Sequence, residues 1–444
     1  MRESQLEKIR LAGVVGAGGA GFPTHVKLAA NAEVIIANGA ECEPLLRVDQ
    51  QVMEHDAAAV VAGMRAAVEL TGAAKGIICL KAKYKQAVAA LTKALEGETA
   101  DISLKLIDNY YPAGDEQALV YEATGRVVPT GGIPIAAGAV VLNVSTLVNI
   151  AAALEGKPVT HKYVTITGEV GKPVTVSAPI GMPVQALIDY AVGPRRENGF
   201  AVILGGPAMG PVADDWDISV SKTLGGVIVL PDSHSLILKK TTPLAHQMKL
   251  ARSVCCQCNQ CTELCPRRTL GLDTSPHKVM RALAYGNGSG VEPEAVISCC
   301  ECGVCSYFAC SMGLSPSRVM AKLKGELLAK KVPYEKRQSR GVSDVRGFKN
   351  LPAVRLTMRL GLRKYDLPAP MEREPLLTDK VKIPLKQHIG APGRPVVTPG
   401  QKVSMGDVIA DIPDGSLGAI IHASISGEIA SVNESYIEIR GGEA

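Results

Sequence analysis

The chain has 444 residues, 46% of them hydrophobic and 4% aromatic, so it is long enough for about three domains with cores of Ala, Val, Ile and Leu. Its net charge of +5 is small, and no basic motif with interleaved aromatic residues accompanies it, which argues against a nucleic-acid-binding protein. No stretch approaches the roughly 18 apolar residues of a membrane-spanning helix, so we expect no membrane span and a cytoplasmic location.

Residues 1–157 predict an α/β domain. Short apolar runs at 34–37, 76–80, 104–107 and 139–144 alternate with longer, Ala-rich segments of helical character. Two of these segments, 56–70 and 83–95, predict helices. Such alternation of strands and helices predicts a mostly parallel sheet covered by helices.

A glycine-rich loop, GAGGAGFP, occupies residues 16–23. Glycines allow backbone amides to approach a phosphate closely, and a helix N-terminus after such a loop adds favourable charge. A Rossmann site also requires a strand before the loop and a continuing helix after it, and Pro23 stands where that helix would continue. We therefore expect a phosphate-facing loop of another kind. Its candidate binding residues are Gly16, Gly18, Gly19, Gly21 and Phe22.

Three more segments accompany this loop in a defined order. They are NGAECEP at 38–44, PAGDEQ at 112–117 and NVSTL at 143–147. Together with GAGGAGFPTHVK at 16–27, they resemble the flavin-binding subunit of respiratory complex I and its relatives. The resemblance implies that this domain binds FMN and presents it to NADH. A flavin accepts a hydride and releases single electrons, so it is suited to a place between NADH and iron–sulfur clusters.

The same resemblance implies roles for individual residues. Lys27 would pair with the flavin phosphate or ring, Asn143 and Thr146 would hold the ribityl phosphate, and Phe22 would stack on a nicotinamide or adenine ring. The residues implied to line the flavin and nicotinamide sides of the site are Asn38, Glu41, Glu43, Gly114, Asp115 and Glu116. No catalytic side chain beyond the cofactors is implied.

Residues 158–240 have a different pattern, rich in β-branched residues. Segments 163–167 and 174–177 predict a hairpin, a helix follows near 183–192, and a strand is expected at 226–230 after the Gly205-Gly206-Pro207 turn. One helix against a small mixed sheet is typical of a β-grasp-like domain.

Two cysteine runs follow, and ten of the twelve cysteines lie between residues 255 and 310. The first run reads C-x2-C-x2-C-x3-C and precedes Pro266, and the second reads C-x2-C-x2-C-x4-C. In two-cluster proteins the fourth Cys of each run ligates the other cluster. We therefore expect a first cysteine set (Cys255, Cys258, Cys261, Cys310) and a second cysteine set (Cys265, Cys299, Cys302, Cys305), each holding one [4Fe–4S] cluster.

Two alternatives compete with this assignment. A zinc site is typically built from separated C-x2-C pairs, which the three-residue spacing here disfavours. Cys256 and Cys300 each adjoin a predicted ligand and remain alternative ligands. Helices expected at 276–285 and 316–328 make the region 245–328 a helix-rich, ferredoxin-like domain.

The remaining segments are a basic linker and a β-rich C-terminal region. Residues 318–364 contain fourteen Lys and Arg against three Asp and Glu, which indicates a solvated, partly helical linker or a docking surface for an acidic partner, a membrane surface or a phosphate-bearing cofactor. Short β segments with Gly and Pro turns from 381 onwards predict a small sandwich or barrel. Its turn at 422–427 has no Lys, so a lipoyl or biotinyl arm is not expected.

The order of these parts resembles the C subunit of Rnf electron-transport complexes. It resembles still more closely the cobalamin reductases of propanediol-utilisation microcompartments, because the barrel-sandwich segment comes last and four residues separate Cys305 from Cys310. The fold expected is α/β with these units: a complex-I-like flavin domain (1–157), an SLBB-like β-grasp domain (158–240), a two-[4Fe–4S] ferredoxin-like domain (245–328), a basic linker (329–380) and a barrel-sandwich hybrid domain (381–444).

This resemblance implies an NADH-dependent oxidoreductase that passes electrons through FMN and two [4Fe–4S] clusters to oxidised cobalamin, in support of a B12-dependent dehydratase. The partners implied are NADH, cobalamin or its adenosyltransferase, and a microcompartment shell protein, with the enzyme inside or attached to the microcompartment. A second hypothesis is an electron-relay subunit that hands electrons to a protein partner. A third, a ligand-binding scaffold with purely structural clusters, leaves the flavin motifs without a role.

Overall fold

A computed structural model describes residues 2–194, 198–284 and 291–441, with residues 283 and 284 described by their backbone alone. The last residue of the helix predicted at 276–285 and the last three residues of the C-terminal domain lie outside the described residues. None of the helices in these ranges combines the length and apolar character that crossing a bilayer requires.

The N-terminal unit is a parallel sheet, as predicted, and its strands lie in the order β3 (Ile102–Ile107), β2 (Lys75–Lys81), β1 (Val34–Gly39) and β5 (Ala139–Asn143). Residues of β1 point alternately to two apolar clusters, Ile35 to one and Ile36 to the other, so both sheet faces are buried beneath helices. The elements are α1 (Arg2–Leu11), α2 (Thr24–Leu28), β1 (Val34–Gly39), α3 (Val48–His55), α4 (Ala57–Thr71), β2 (Lys75–Lys81), α5 (Lys85–Ala94), β3 (Ile102–Ile107), β4 (Tyr110–Tyr111), α6 (Glu116–Thr124), β5 (Ala139–Asn143) and α7 (Val144–Leu154).

The second unit is a mixed sheet with one helix, which confirms the β-grasp-like prediction. Its strands and helix are β6 (His161–Gly168), β7 (Val174–Pro179), α8 (Val184–Tyr190), β8 (Phe200–Leu204) and β9 (Gly226–Pro231). β6 and β7 form the expected antiparallel hairpin, and β9 lies parallel to β6. The strand β8, which was not predicted, pairs with β9, and a fifth strand at the other edge comes from much later in the chain.

The cysteine-bearing region is helical, with the two runs in the loops between short helices. Its helices are α9 (Ser235–Thr241), α10 (Leu244–Val254), α11 (Gln260–Glu263), α12 (Pro266–Thr269), α13 (Pro276–Ala284), α14 (Glu294–Ile297) and α15 (Pro316–Ala329). Pro266 and Pro316 each occupy the first position of a helix, where the missing N–H has no cost. A π-helical turn at Cys305–Ala309 closes the second run.

The segment expected to be a linker (residues 329–380, the strap) is built into two other units. It contains α16 (Arg346–Lys349), β10 (Leu351–Pro352), α17 (Ala353–Arg359) and β11 (Met371–Pro375). β10 pairs with β4 of the flavin domain, and β11 is the fifth strand of the β-grasp sheet, parallel to β7. Its cations also pair across units, Arg346 with Glu122 at 2.7 Å among them. The strap is therefore basic, as its sequence indicates, but its strands and ion pairs join it to other units, and it is not a solvated linker.

The C-terminal unit is a sandwich of a four-stranded and a three-stranded sheet, with orders β12-β18-β17-β14 and β13-β15-β16. Its strands are β12 (Lys380–Pro384), β13 (Arg394–Pro395), β14 (Lys402–Val403), β15 (Val408–Asp411), β16 (Ile421–His422), β17 (Gly427–Val432) and β18 (Tyr436–Arg440). Side chains such as Ile383 and Ile437 share one apolar cluster with Ile9 and Leu142 of the flavin domain. The two ends of the chain therefore form one core.

Candidate flavin site and iron–sulfur ligands

The glycine-rich loop folds back on itself between α1 and α2. The Gly16 N–H donates to the Phe22 carbonyl at 3.0 Å, and Gly19 and Gly21 have positive φ angles of +63° and +68°. A Cβ on Gly21 would lie 2.7 Å from Thr223 Cγ2, so that side of the loop is closed by other units. A Cβ on Gly19 would meet nothing within 4 Å. The loop is therefore open at Gly19, and room beside a glycine-rich backbone fits the phosphate of a flavin or dinucleotide.

The N-terminus of α7 supports the loop from below. The Thr146 hydroxyl accepts a hydrogen bond from the Ala17 N–H at 2.9 Å, and Lys162 from β6 donates to the Ala17 carbonyl at 2.7 Å. The Asn143 side chain caps α7 through the Ser145 N–H and donates to Asp49 at 2.9 Å. The structure thus brings the two predicted phosphate-holding residues beneath the loop.

The other predicted segments converge on the same place. Lys27 lies 3.3 Å from the carboxylate of Glu116, and the Asn38 amide donates to the Gly114 carbonyl at 2.9 Å. Segments that are far apart in sequence, 16–27, 38–43, 114–116 and 143–146, are therefore neighbours in space. Phe22 is 38% exposed at the rim, where a ring can stack on it.

The two predicted glutamates occupy different surroundings. Burial and the neighbouring Asp49 raise the pKa of Glu41 to about 8. The Glu43 carboxylate accepts hydrogen bonds from the backbone N–H groups of Ala208 and Met209, at 2.8 and 3.1 Å, and so clamps the β-grasp turn. Glu41 remains beside the flavin segments, whereas Glu43 ties them to the next unit.

The first cysteine set surrounds a cavity near the surface. The thiols of Cys255, Cys258, Cys261 and Cys310 all line it, together with Met280 and other side chains of α13. No three His, Cys, Asp or Glu side chains of the described residues are grouped so as to hold a single metal ion. The four thiols instead stand around a shared space, and burial beside the other thiols raises the pKa of Cys261 to about 12. A cationic cluster that replaces the thiol protons fits such a donor set.

The second cysteine set is buried. Its four residues are 7–9% exposed, and the Cys305 thiol interacts electrostatically with Cys299 and Cys265 of its own set and with Cys261 of the first set. Burial raises the pKa of Cys265 to about 11 and of Cys299 to about 12. Cys265, Cys299 and Cys305 are therefore near one another, and the division of the eight cysteines into two ligand sets stays a prediction. Cys256 is exposed at the first cavity, and Cys300 lies beside Cys302.

The second cysteine set lies against the flavin segments. The Tyr111 hydroxyl donates to the Cys302 carbonyl at 2.6 Å and lies 3.2 Å from Glu43. Arg267, two residues after Cys265, forms a 2.5 Å ion pair with Asp115. Cys42 and Cys300 contact one apolar cluster at the same boundary.

Several contributors were not predicted. Asp49, Lys162, Arg267 and Tyr111 all serve the site through contacts with distant segments. Lys162 carried a usable signal, because a Lys inside a β-rich run is either exposed or, if buried, paired with a polar group. The other three carried none in their local sequence.

Comparison with known proteins identifies the four units separately. Family models match as follows: the Nuo51 FMN-binding domain at residues 9–152, the SLBB domain at 163–212, a 4Fe-4S dicluster domain at 254–315 and the RnfC barrel sandwich hybrid domain at 369–442. A solved NAD+-reducing [NiFe]-hydrogenase in the H2-reduced state is similar in fold, with a TM-score of 0.50 and 22% identity over 76% of this chain and 64% of that chain.

Relatives at the sequence level cover between about half and nearly all of the chain. The C subunit of the Na(+)-translocating ferredoxin:NAD(+) oxidoreductase complex of Acetobacterium woodii is 39% identical over 57% of this chain and 56% of its own length. The cobalamin reductase PduS of Salmonella typhimurium is 42% identical over 98% of this chain and 95% of its own length, and PduS of Citrobacter freundii is equally similar. The chain therefore belongs to the family of the cobalamin reductase PduS.

Proposed function

We propose that this chain is an NADH-dependent oxidoreductase that delivers electrons to oxidised cobalamin through one FMN and two [4Fe–4S] clusters. The observation that carries the proposal is the convergence of the four flavin-type segments directly against the buried second cysteine set. The identity of 42% to PduS over nearly the whole chain supports cobalamin as the acceptor. When bound, FMN takes a hydride and releases single electrons, which iron–sulfur clusters carry one at a time.

The residues proposed to hold FMN surround the open side of the loop. Backbone amides of the glycine-rich loop suit a phosphate, and Lys27 adds a positive charge close to it. The full set is Gly16, Gly18, Gly19, Gly21, Phe22, Lys27, Asn38, Glu41, Glu43, Gly114, Asp115, Glu116, Asn143 and Thr146. Within it, the contacts of Glu43 and Asp115 assign these two to holding the site together across units.

The chain's own residues control water and protons at the site. Tyr111 is 1% exposed and, with Leu45 and Leu46, belongs to the apolar cluster between the flavin segments and the second cysteine set. This cluster excludes water from the boundary. Because its pKa is raised, the Glu41 carboxyl keeps its proton near neutral pH, which limits the negative charge beside the bound flavin.

The acceptor is proposed to approach the first cysteine set. Cys258 is exposed there, and Met312, 44% exposed, lines the same cavity. Cobalamin bound to its adenosyltransferase is one form in which the acceptor reaches this edge. Attachment to a microcompartment shell protein is likewise part of the proposal, motivated by the family alone.

An anaerobic NADH titration of protein loaded with flavin and iron tests the proposal. NADH should bleach the flavin and cluster absorbance, and added oxidised cobalamin should restore both while it is itself reduced. Thr146→Val removes the hydroxyl beneath the loop and should weaken FMN retention, whereas Thr92→Val on exposed α5 is the matched control. Unchanged spectra of fully loaded protein after NADH addition would refute the NADH-dependent part.

A second candidate function is a relay subunit that reduces only a protein partner. The strap favours it, because Phe348 is 93% exposed in a segment whose sequence is rich in Lys and Arg, as expected of a docking surface. Cobalamin reduction by the isolated protein at the rate seen with added partners would exclude this candidate. Strict dependence on a partner, abolished by Phe348→Ser, would favour it.

A further inference from the structure

Arg267 is a buried cation at the boundary between the flavin segments and the second cysteine set. It belongs to α12, which begins directly after the predicted ligand Cys265. Its side chain is 10% exposed and that of its partner Asp115 is 6% exposed, so both charges are shielded from water. A charge in such surroundings acts on its neighbours much more strongly than one at the surface.

Asp115 uses its two carboxylate oxygens for different tasks. Oδ2 accepts the Ala118 N–H at 3.2 Å and caps α6, whereas Oδ1 accepts the Arg267 guanidinium at 2.5 Å. The carboxylate therefore joins a flavin-site helix to the residue that follows a cluster ligand.

The guanidinium has capacity beyond this pair. It lies within hydrogen-bonding reach of the Cys300 side chain, which itself contacts Cys302. Its Nε–H is buried and has no hydrogen-bond partner. A buried donor without a partner is destabilising, so a group that accepts from it would stabilise this arrangement. The sulfur atoms of a cluster held by the second cysteine set are acceptors of the right kind.

We propose that Arg267 is a positioning residue that holds the second cysteine set against the flavin site and places a fixed positive charge beside the cluster bound there. This inference rests on the proposed function. Reduction adds an electron to the cluster, so a nearby cation favours the reduced form and a nearby carboxylate opposes it. The Arg267–Asp115 pair therefore sets the potential of that cluster through two opposed charges.

The test is a redox titration of the loaded protein, followed by electron paramagnetic resonance, on wild type and three variants. Arg267→Gln leaves Asp115 unpaired and should lower the midpoint potential of one of the two clusters. Asp115→Asn leaves Arg267 unpaired and should raise the potential of that same cluster. Arg267→Lys keeps the charge and should restore a potential close to that of the wild type. The other cluster should keep its potential in all variants.

Lys364→Gln is the control, because it breaks an exposed ion pair with Glu169 and no cysteine acts on that carboxylate. It should shift neither potential. Iron and flavin analysis accompanies each variant, with about eight irons and one FMN per chain expected from two four-iron clusters and one flavin. If Arg267→Gln fails to retain iron, Asp115→Asn and Arg267→Lys still test the charge effect.

The outcomes separate the inference from the proposed function. Shifts of the same sign in Arg267→Gln and Asp115→Asn would reveal a purely structural link and overturn the inference, as would no shift in either. A wild-type protein that loads two clusters and is reduced by NADH would leave the proposed function intact in that case. A wild type without a second cluster would overturn both.

Discussion

The two predicted cysteine sets contain four cysteines each but lie in very different surroundings. All four residues of the second set are buried next to the flavin segments, whereas the first set lines a cavity near the surface and includes the exposed Cys258. Cluster potentials depend on solvent exposure and on hydrogen bonds to sulfur. Cysteine spacing therefore predicts the ligands, whereas packing by distant segments places the second set next to the flavin segments and the first set near the surface.

The largest expected effect comes from removing one ligand of each set. Cys302→Ser should abolish electron delivery from NADH to every acceptor while the flavin still bleaches, because the cluster next to the flavin would be lost. Cys258→Ser should leave the flavin and the remaining cluster reducible but impair acceptor reduction. Stopped-flow absorbance and iron content would measure both. Identical behaviour of the two variants would contradict the conclusion that the two sets occupy different positions along the electron path.

A smaller effect is expected at the loop on the flavin side. Gly21→Ala forces a side chain into a positive φ, at about 1 kcal/mol, and into Thr223 and His388, at about 1–3 kcal/mol more. Gly19→Ala meets open space and should incur the first term alone, yet weaken FMN binding. Denaturant unfolding and flavin titration would distinguish the two. Equal destabilisation by the two substitutions would contradict the conclusion that the loop is closed at Gly21 and open at Gly19.

Removal of one hydroxyl should weaken the contact between the flavin segments and the second cysteine set. Tyr111→Phe leaves the Cys302 carbonyl without its donor and should lower the free energy of unfolding by about 1–3 kcal/mol. Tyr190→Phe, at an exposed contact with Glu372, should change it by less than about 0.5 kcal/mol. Chemical denaturation followed by circular dichroism measures both, and equal values would show that the boundary adds no stability.

The smallest effect is a pH dependence confined to the flavin side. The pKa of Glu41 is raised in the fold to about 8 from 4.5, so the folded state binds the extra proton and stability falls as pH rises through this window. Between pH 5 and 7.5, the free energy of unfolding of Glu41→Gln should fall by at least about 1 kcal/mol less than that of the wild type. Asp49, Lys81 and Glu43 face the same carboxyl and remain in both proteins. Parallel curves for the two proteins would contradict the raised pKa.

Local patterns predicted the fold of the units and the parallel sheet, because each depends on residue spacing within a short segment, while the assignment of the cysteines to two sets stays a prediction. The contacts between units were not predictable in this way. Arg267 meets Asp115 across 152 residues, and no local pattern in RRT or GDE encodes that partner. The strap shows the same limit, since the charged sequence MEREP has little strand character and is held by backbone pairing with β7.

The meeting of the two chain ends has a consequence for biosynthesis. Ile383 and Ile437 complete the core beneath Ile9, and the Ile389 N–H donates to the Ala20 carbonyl of the glycine-rich loop at 2.8 Å. A ribosome makes that loop some 370 residues before the segment that secures it. Contacts of such long sequence separation form late. We therefore expect the nascent chain to retain flavin only after residues 380–440 have been synthesised, and a protein truncated before residue 380 not to retain it.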